Sequence, residues 1–167
     1  MDMNYCMHCG ARLALRDHET EGRPIPWCEH CQDWRFPVFN AAVSMVVLDE
    51  SRQHVLLIQQ YGRPFYILPA GYINLGEDAE DAVRRELQEE LGLEVRQMTF
   101  NRSRYFPPSN TLLFNFVVTV TGKPTPNWEV DAWRWFSREE AKANIKPASF
   151  AEAFLLRGLD LITGENP

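Results

Sequence analysis

The chain has 167 residues, 45% of them hydrophobic, enough for one medium domain with its own core and a small accessory module. No stretch approaches the roughly 18 uninterrupted apolar residues of a membrane span. The first ten residues also lack the basic start and apolar run of a signal peptide, so a cytoplasmic location without membrane attachment is expected. A formal net charge of -6 disfavours long nucleic acid as the main ligand, because duplexes are bound by basic surfaces. A small phosphorylated ligand stays compatible, since bound metal ions reverse the sign locally.

Residues 1–37 hold all four cysteines and little periodic apolar pattern. Cys6-Met7-His8-Cys9 and Cys28-Glu29-His30-Cys31 are two Cys-x-x-Cys pairs separated by 18 residues, a spacing suited to four thiolates closed around one structural Zn²⁺. Gly10 follows the first pair, where a tight knuckle turn needs a small residue. Two disulfides are the rival reading, which the absence of a signal peptide disfavours. His8 and His30 are alternative ligands, but within Cys-x-x-Cys they are expected to point away. The segment resembles a zinc ribbon. With four arginines, no lysine and six acids it is not basic, so a structural or dimer-forming role is expected in preference to nucleic-acid binding.

From residue 38 onward the apolar pattern becomes regular. Strands are predicted over 38–48 and 54–58, around a polar turn at 49–53, and over 66–68, ending at Pro69. A helix is predicted over 77–91, with acids in its first turn and Gly92 just past its end. Further strands are predicted over 93–106, 111–120 and 132–136. Ser137 is expected to cap a helix over 138–144, with Glu140 completing a capping box, and a last helix is expected over 150–159. Strands first and last with helices between them imply an α/β or α+β layered domain over 38–167.

The helix over 77–91 carries the chemistry. Glu86, Glu89 and Glu90 sit at i, i+3 and i+4, so their side chains are neighbours, and like charges so placed destabilise a helix. At about 100° per residue, Ala79, Ala82, Val83, Leu87 and Leu91 define the core-facing arc. Glu86 and Glu90 project inside that arc, as does Glu80. Partly buried anions need cations. Arg85 can pair with Glu89 at i+4 but cannot serve all three, and a hard divalent ion held by carboxylate oxygens resolves the conflict.

Gly71, five residues, Glu77, seven residues, Arg85-Glu86, Leu87, any residue, Glu89-Glu90, any residue, Gly92, Leu93 matches the Nudix box at every defined position. The chain from Val38 resembles the Nudix domain, which implies an α/β/α sandwich with a mixed β-sheet after the ribbon. The resemblance also implies a pyrophosphohydrolase that adds water to a nucleoside diphosphate linkage with Mg²⁺ or Mn²⁺. By position it makes Glu86 and Glu90 direct metal ligands, and Glu89 a ligand or the general base. Glu77 either reaches a water on the metal or braces the loop, and Arg85 orients a glutamate. Gly71 gives close backbone approach and a carbonyl that can serve as a metal ligand. Glu129 lies in a loop that carries a further acid in some relatives. A homodimer is likewise implied by resemblance alone.

Two partial resemblances bear on the substrate. A ribbon before a Nudix domain is similar to NADH pyrophosphatases, although of their Ser-Gln-Pro-Trp-Pro-Phe-Pro-x-Ser mark only Phe106, Pro107 and Ser109 are present. Gln59-Gln60-Tyr61, Leu68-Pro69-Ala70-Gly71 and Pro108 resemble ADP-ribose pyrophosphatases. Both imply an ADP moiety joined through a diphosphate, as in NAD(H), ADP-ribose or FAD. Tyr61, Phe65, Tyr105 and Phe106 are candidates to stack on a ring, and Arg102 and Arg104, alternating along a strand, are candidates to meet phosphates. Two other functions fit the sequence. One is a sensor that binds nucleotide without cleaving it, though sensors commonly have eroded boxes. The other is processing of NAD-capped RNA ends, where a short 5′ end needs little basic surface.

Overall fold

The computed structural model describes residues 3–164, which divide into two compact units. One comprises the chain up to Asn40 together with Pro107–Asn110. The other comprises Ala41–Phe106 and the chain from Thr111 onward.

The smaller unit is a three-stranded antiparallel sheet of β1 (Ala14–Asp17), β2 (Pro24–Cys28) and β3 (Asp33–Trp34), with β2 in the middle. None of these strands is foreseen from sequence. The reason is size: Cys6, Ile25 and Cys28 are buried, too few to impose a period-2 alternation. Trp27 lies opposite both Ala14 and Trp34, and the two indoles meet edge to face at 4.9 Å.

The larger unit is built on a six-stranded mixed sheet in the order β7-β8-β4-β5-β9, with β6 also paired to β4. The strands are β4 (Asn40–Leu48), β5 (His54–Gln60), β6 (Ala70–Tyr72), β7 (Glu94–Phe106), β8 (Thr111–Thr121) and β9 (Val130–Ser137). β4 forks: Ala42, Val43 and Ser44 pair with β6, whereas Val47 and Leu48 pair with β5. The short strand expected over 66–68 is therefore displaced to Ala70–Tyr72, and Tyr66 and Ile67 make only isolated bridges. The apolar run 66–68 looks strand-like, but it is Ala70–Tyr72 that finds the free half of β4.

β4 is buried on both faces, and its alternation sorts the core into two layers. Val43, Met45 and Val47 pack with Ala82, Val83, Leu87 and Leu91 of α1 (Ala79–Leu91). Val46 and Leu48 pack with Ala141 of α2 (Arg138–Asn144) and with Phe154, Leu155 and Leu159 of α3 (Phe150–Thr163). Helices thus cover both faces of one sheet, the α/β/α sandwich the resemblance implied. The Ser137–Glu140 capping box is present as expected. α3 continues to Thr163, one turn beyond the expected end. Among the described residues, no helix is long and apolar enough to cross a membrane.

The two ends of α1 matter for the site. Gly92 adopts φ 65°, and its N–H and that of Leu93 bond back to the carbonyls of Gln88 and Leu87, a left-handed cap that glycine accepts without strain. A Cβ there would also overlap the Thr125 hydroxyl. Thr125 N–H and Asn127 N–H donate to the carbonyls of Leu91 and Glu90 at 2.8 and 2.9 Å. The loop before β9 is therefore stitched to the C-terminal turn of α1.

Candidate functional site

Arg85 organises the acidic face of α1. Its Nε and Nη2 donate to the two oxygens of Glu77 at 2.7 and 2.9 Å, a bidentate pair. Its Nη1 reaches Glu86 at 2.6 Å and Glu89 at 3.2 Å, and Nη2 also donates to the Tyr72 carbonyl at 2.9 Å. One guanidinium thus ties the loop before the helix to three glutamates. Glu77 also accepts from Asn74 N–H at 2.9 Å. With Arg85 as the larger cause, its carboxyl is held down to about 2. Arg85 itself is pushed above the usual guanidinium range, chiefly by Glu77.

Glu90 lies on the other side of the cluster and is only 4% exposed. Gln60, the last residue of β5, donates to its Oε1 at 3.3 Å, and its Oε2 has no hydrogen-bond partner. Burial, then the charges of Glu86 and Glu129, push its carboxyl up to about 7. Gly71 faces Glu86 so closely that a Cβ would overlap the carboxyl group. The glycine is needed because the glutamate occupies the space a side chain would take. Tyr61, with φ 58° and 66% exposed, directs its hydroxyl to Glu129 Oε2 at 3.5 Å. Its phenol is raised by burial and then by Glu129, Glu90 and Glu86.

Glu77, Arg85, Glu86, Glu89, Glu90, Gly71, Tyr61 and Glu129 are therefore brought to one place. Phe65, Arg102, Arg104 and Phe106 are placed differently. Phe65 lies under the Lys146 ammonium at 4.2 Å. Arg104 lies 4.2 Å from the ring centre of Phe150, and Phe106 meets the same ring edge to face. Phe150 belongs to the layer on the sheet face opposite α1. Arg102 shares the register of Arg104 on β7, two residues away.

Sequence reasoning missed two positioning residues. Gln60 stands out only within Gln59-Gln60-Tyr61; the available signal was an amide closing an otherwise apolar strand. Asn127 accepts from Glu129 N–H at 2.8 Å and so shapes the turn that carries the acid.

The donor set fits hard divalent ions. Five carboxylates gather here, three of them on one guanidinium, Glu90 is buried with an unsatisfied oxygen, and carboxylate oxygens are what Mg²⁺ and Mn²⁺ take. The four cysteines form a second donor set, with all four sulfurs within 4.8 Å of one another. Cys6 and Cys31 sulfurs are 3.9 Å apart and Cys9 and Cys28 sulfurs 3.5 Å apart. A tetrahedron with Zn–S of about 2.3 Å has edges of about 3.8 Å. The two knuckles match: Gly10 N–H bonds to Cys6 O and Gln32 N–H to Cys28 O, both at 2.8 Å, with positive φ at Gly10 and at Gln32. Burial alone would raise the Cys6 thiol, but Arg35 Nε at 3.1 Å leads the donors that bring it down to about 5.

The model of the NUDIX domain matches residues 38–155. The chain belongs to the Nudix family. Among curated relatives, it is 31% identical over 137 residues to the NAD-capped RNA hydrolase NudC of Pseudomonas aeruginosa, covering 80% of this chain and 47% of that protein. It is 30% identical over 159 residues to Nudix hydrolase 19, chloroplastic, of Arabidopsis thaliana, covering 89% and 36%. The chain spans about half or less of the length of these two relatives. Among solved structures, a NUDIX hydrolase from Nitrosomonas europaea superposes with TM-score 0.69 at 22% identity, over 97% of this chain and 94% of that one. That Nudix likeness supports the fold.

Proposed function

We propose that this chain is a metal-dependent pyrophosphohydrolase. In this reading it cleaves the diphosphate of an ADP-containing dinucleotide such as NAD(H), ADP-ribose or FAD, giving AMP and a second phosphorylated product. The observation that carries the reading is Glu90. A buried carboxylate with one oxygen unsatisfied, among four more acids and a single arginine, is costly unless a cation completes it.

Water attacks one phosphorus, the bridging P–O bond breaks, and the bridging oxygen leaves with the other phosphate. Glu86 and Glu90 hold Mg²⁺ or Mn²⁺ at the cluster, with Gly71 leaving room for Glu86. The ions, when bound, offset the phosphate charge and make water a stronger acid. Glu89 is more exposed than Glu86 and Glu90 and is held by one contact to Arg85. It accepts the proton of the attacking water. Arg85 and Glu77 lock the loop against the helix so that the carboxylates do not reorganise during the reaction. The four cysteines hold Zn²⁺ as a structural site that cross-links the smaller unit.

The names of the relatives favour a second substrate form, the NAD-capped 5′ end of RNA, which presents the same diphosphate. The test is to incubate the protein with Mg²⁺ or Mn²⁺ and NADH, NAD, ADP-ribose, FAD or a short NAD-capped RNA, and to measure AMP or the trimmed 5′ end. Turnover that collapses in Glu89→Gln and Glu90→Gln supports the function. Nucleotide binding with no product from any compound overturns it in favour of a sensor.

A further inference from the structure

Trp128 is 84% exposed, whereas the other four tryptophans of the chain are at least partly buried. No aromatic ring of the described residues pairs with it. An indole left in water forgoes much of the stabilisation its burial would give. Its position is also fixed. Asn127, just before it, donates its N–H to the carbonyl of Glu90 and accepts from Glu129 N–H, just after it. Val130 N–H closes the turn on Asn127 O at 3.4 Å.

The backbone of Trp128 is therefore one peptide unit, about 3.8 Å between Cα atoms, from Glu129, whose charge acts on Glu90. A second exposed ring, Tyr61, reaches the same acid with its hydroxyl. It stands in a left-handed backbone conformation that non-glycine residues seldom adopt, and Gly62 N–H anchors its turn to Asp131 at 2.7 Å. Two exposed aromatics thus flank one acid at the edge of the glutamate cluster, Tyr61 through its hydroxyl and Trp128 as its chain neighbour, each on a turn tied down by hydrogen bonds of its backbone N–H groups.

We infer that Trp128, together with Tyr61, is a recognition residue that stacks on a planar heteroaromatic ring of the substrate, the ring carried by a ribose next to the scissile diphosphate. This inference rests on the proposed hydrolysis and assigns its ring selectivity to the loop before β9. Stacking of a base on an aromatic side chain is tolerant of base identity, which suits a site that takes adenine or nicotinamide.

The test is steady-state kinetics of Trp128→Ala and Trp128→Phe with NADH and with ADP-ribose. The Ala variant should raise KM by about ten-fold, the change equivalent to losing one stacked base, with kcat nearly unchanged. The Phe variant should restore KM. Because the indole is exposed, both should melt with the wild type. An equal rise for both substrates assigns adenine to Trp128, and a rise for NADH alone assigns nicotinamide. A wild type that hydrolyses NADH while Trp128→Ala keeps its KM for both compounds overturns the inference and leaves the hydrolase intact. Should the wild type hydrolyse neither compound, the proposed function fails, and AMP binding read by tryptophan fluorescence decides the inference. Quenching in wild type that disappears in Trp128→Phe sustains it, and identical responses reject it.

Discussion

Glu90→Gln should make the protein more stable while destroying its proposed activity. In the fold this carboxyl sits near 7 because of burial and its acidic neighbours, against an ordinary value of 4.5. The folded state therefore binds the proton more tightly than the unfolded chain. Stability is fully present below about 4.5 and is lost as pH rises towards about 7. At 1.36 kcal/mol per pH unit, the loss reaches roughly 3 kcal/mol above pH 8 when no divalent ion is present. Glutamine keeps the shape, can still accept from Gln60 and carries no charge. In divalent-free buffer at pH 8 the variant should gain up to about 3 kcal/mol, or roughly 6–12 °C in Tm. At pH 4 the two proteins should be closely matched. Thermal unfolding across this range measures the gap; the buffer is freed of Mg²⁺ by resin, because a chelator would also attack the cysteine site. Added Mg²⁺ should stabilise wild type and leave the variant nearly unmoved. A gap that is absent at pH 8, or that does not change with pH, would refute the picture of Glu90 as a buried anion awaiting a cation.

Gly71→Ala should push the Glu86 carboxyl out of place and lower kcat by about 100-fold, measurable as AMP release at saturating substrate. Arg85→Lys keeps the charge but loses the bidentate grip on Glu77, so kcat should fall about ten-fold or more; unchanged kcat would remove Arg85 from its positioning role. Gln60→Leu removes the hydrogen bond that lowers the Glu90 carboxyl, so the acid limb of the kcat/KM pH profile should move upward. Cys28→Ser should reduce bound zinc well below one per chain by elemental analysis, while the larger unit keeps its own unfolding transition.

Much of the site was legible because its spacing is short-range. Glu86, Glu89 and Glu90 lie within two helical turns, and the helical period alone places Glu86 and Glu90 on the core side. The burial of Glu90 follows from that reading; the exposure of Glu80 makes the apolar arc one residue narrower than the helical period implies. The long-range partners were not legible. Gln60 reaches Glu90 across 30 residues of sequence, and Glu129 approaches only because Thr125 and Asn127 hang from the end of α1. Such contacts depend on strand order, which local patterns do not encode. Arg104 illustrates the converse. Period-2 alternation correctly puts it on one face of β7 with Arg102, but which face carries α1 is a property of the whole sheet.

Hydrolysis of NADH followed over a Mg²⁺ titration, with wild type, Glu86→Gln and Glu90→Gln side by side, tests the central claim most directly. Wild type should release AMP in a Mg²⁺-dependent manner, and both variants should lose kcat by orders of magnitude, with Glu90→Gln melting at or above the wild-type temperature at pH 8. Mg²⁺-independent turnover, or near-wild-type kcat in both variants, would contradict a site in which these two glutamates hold the metal.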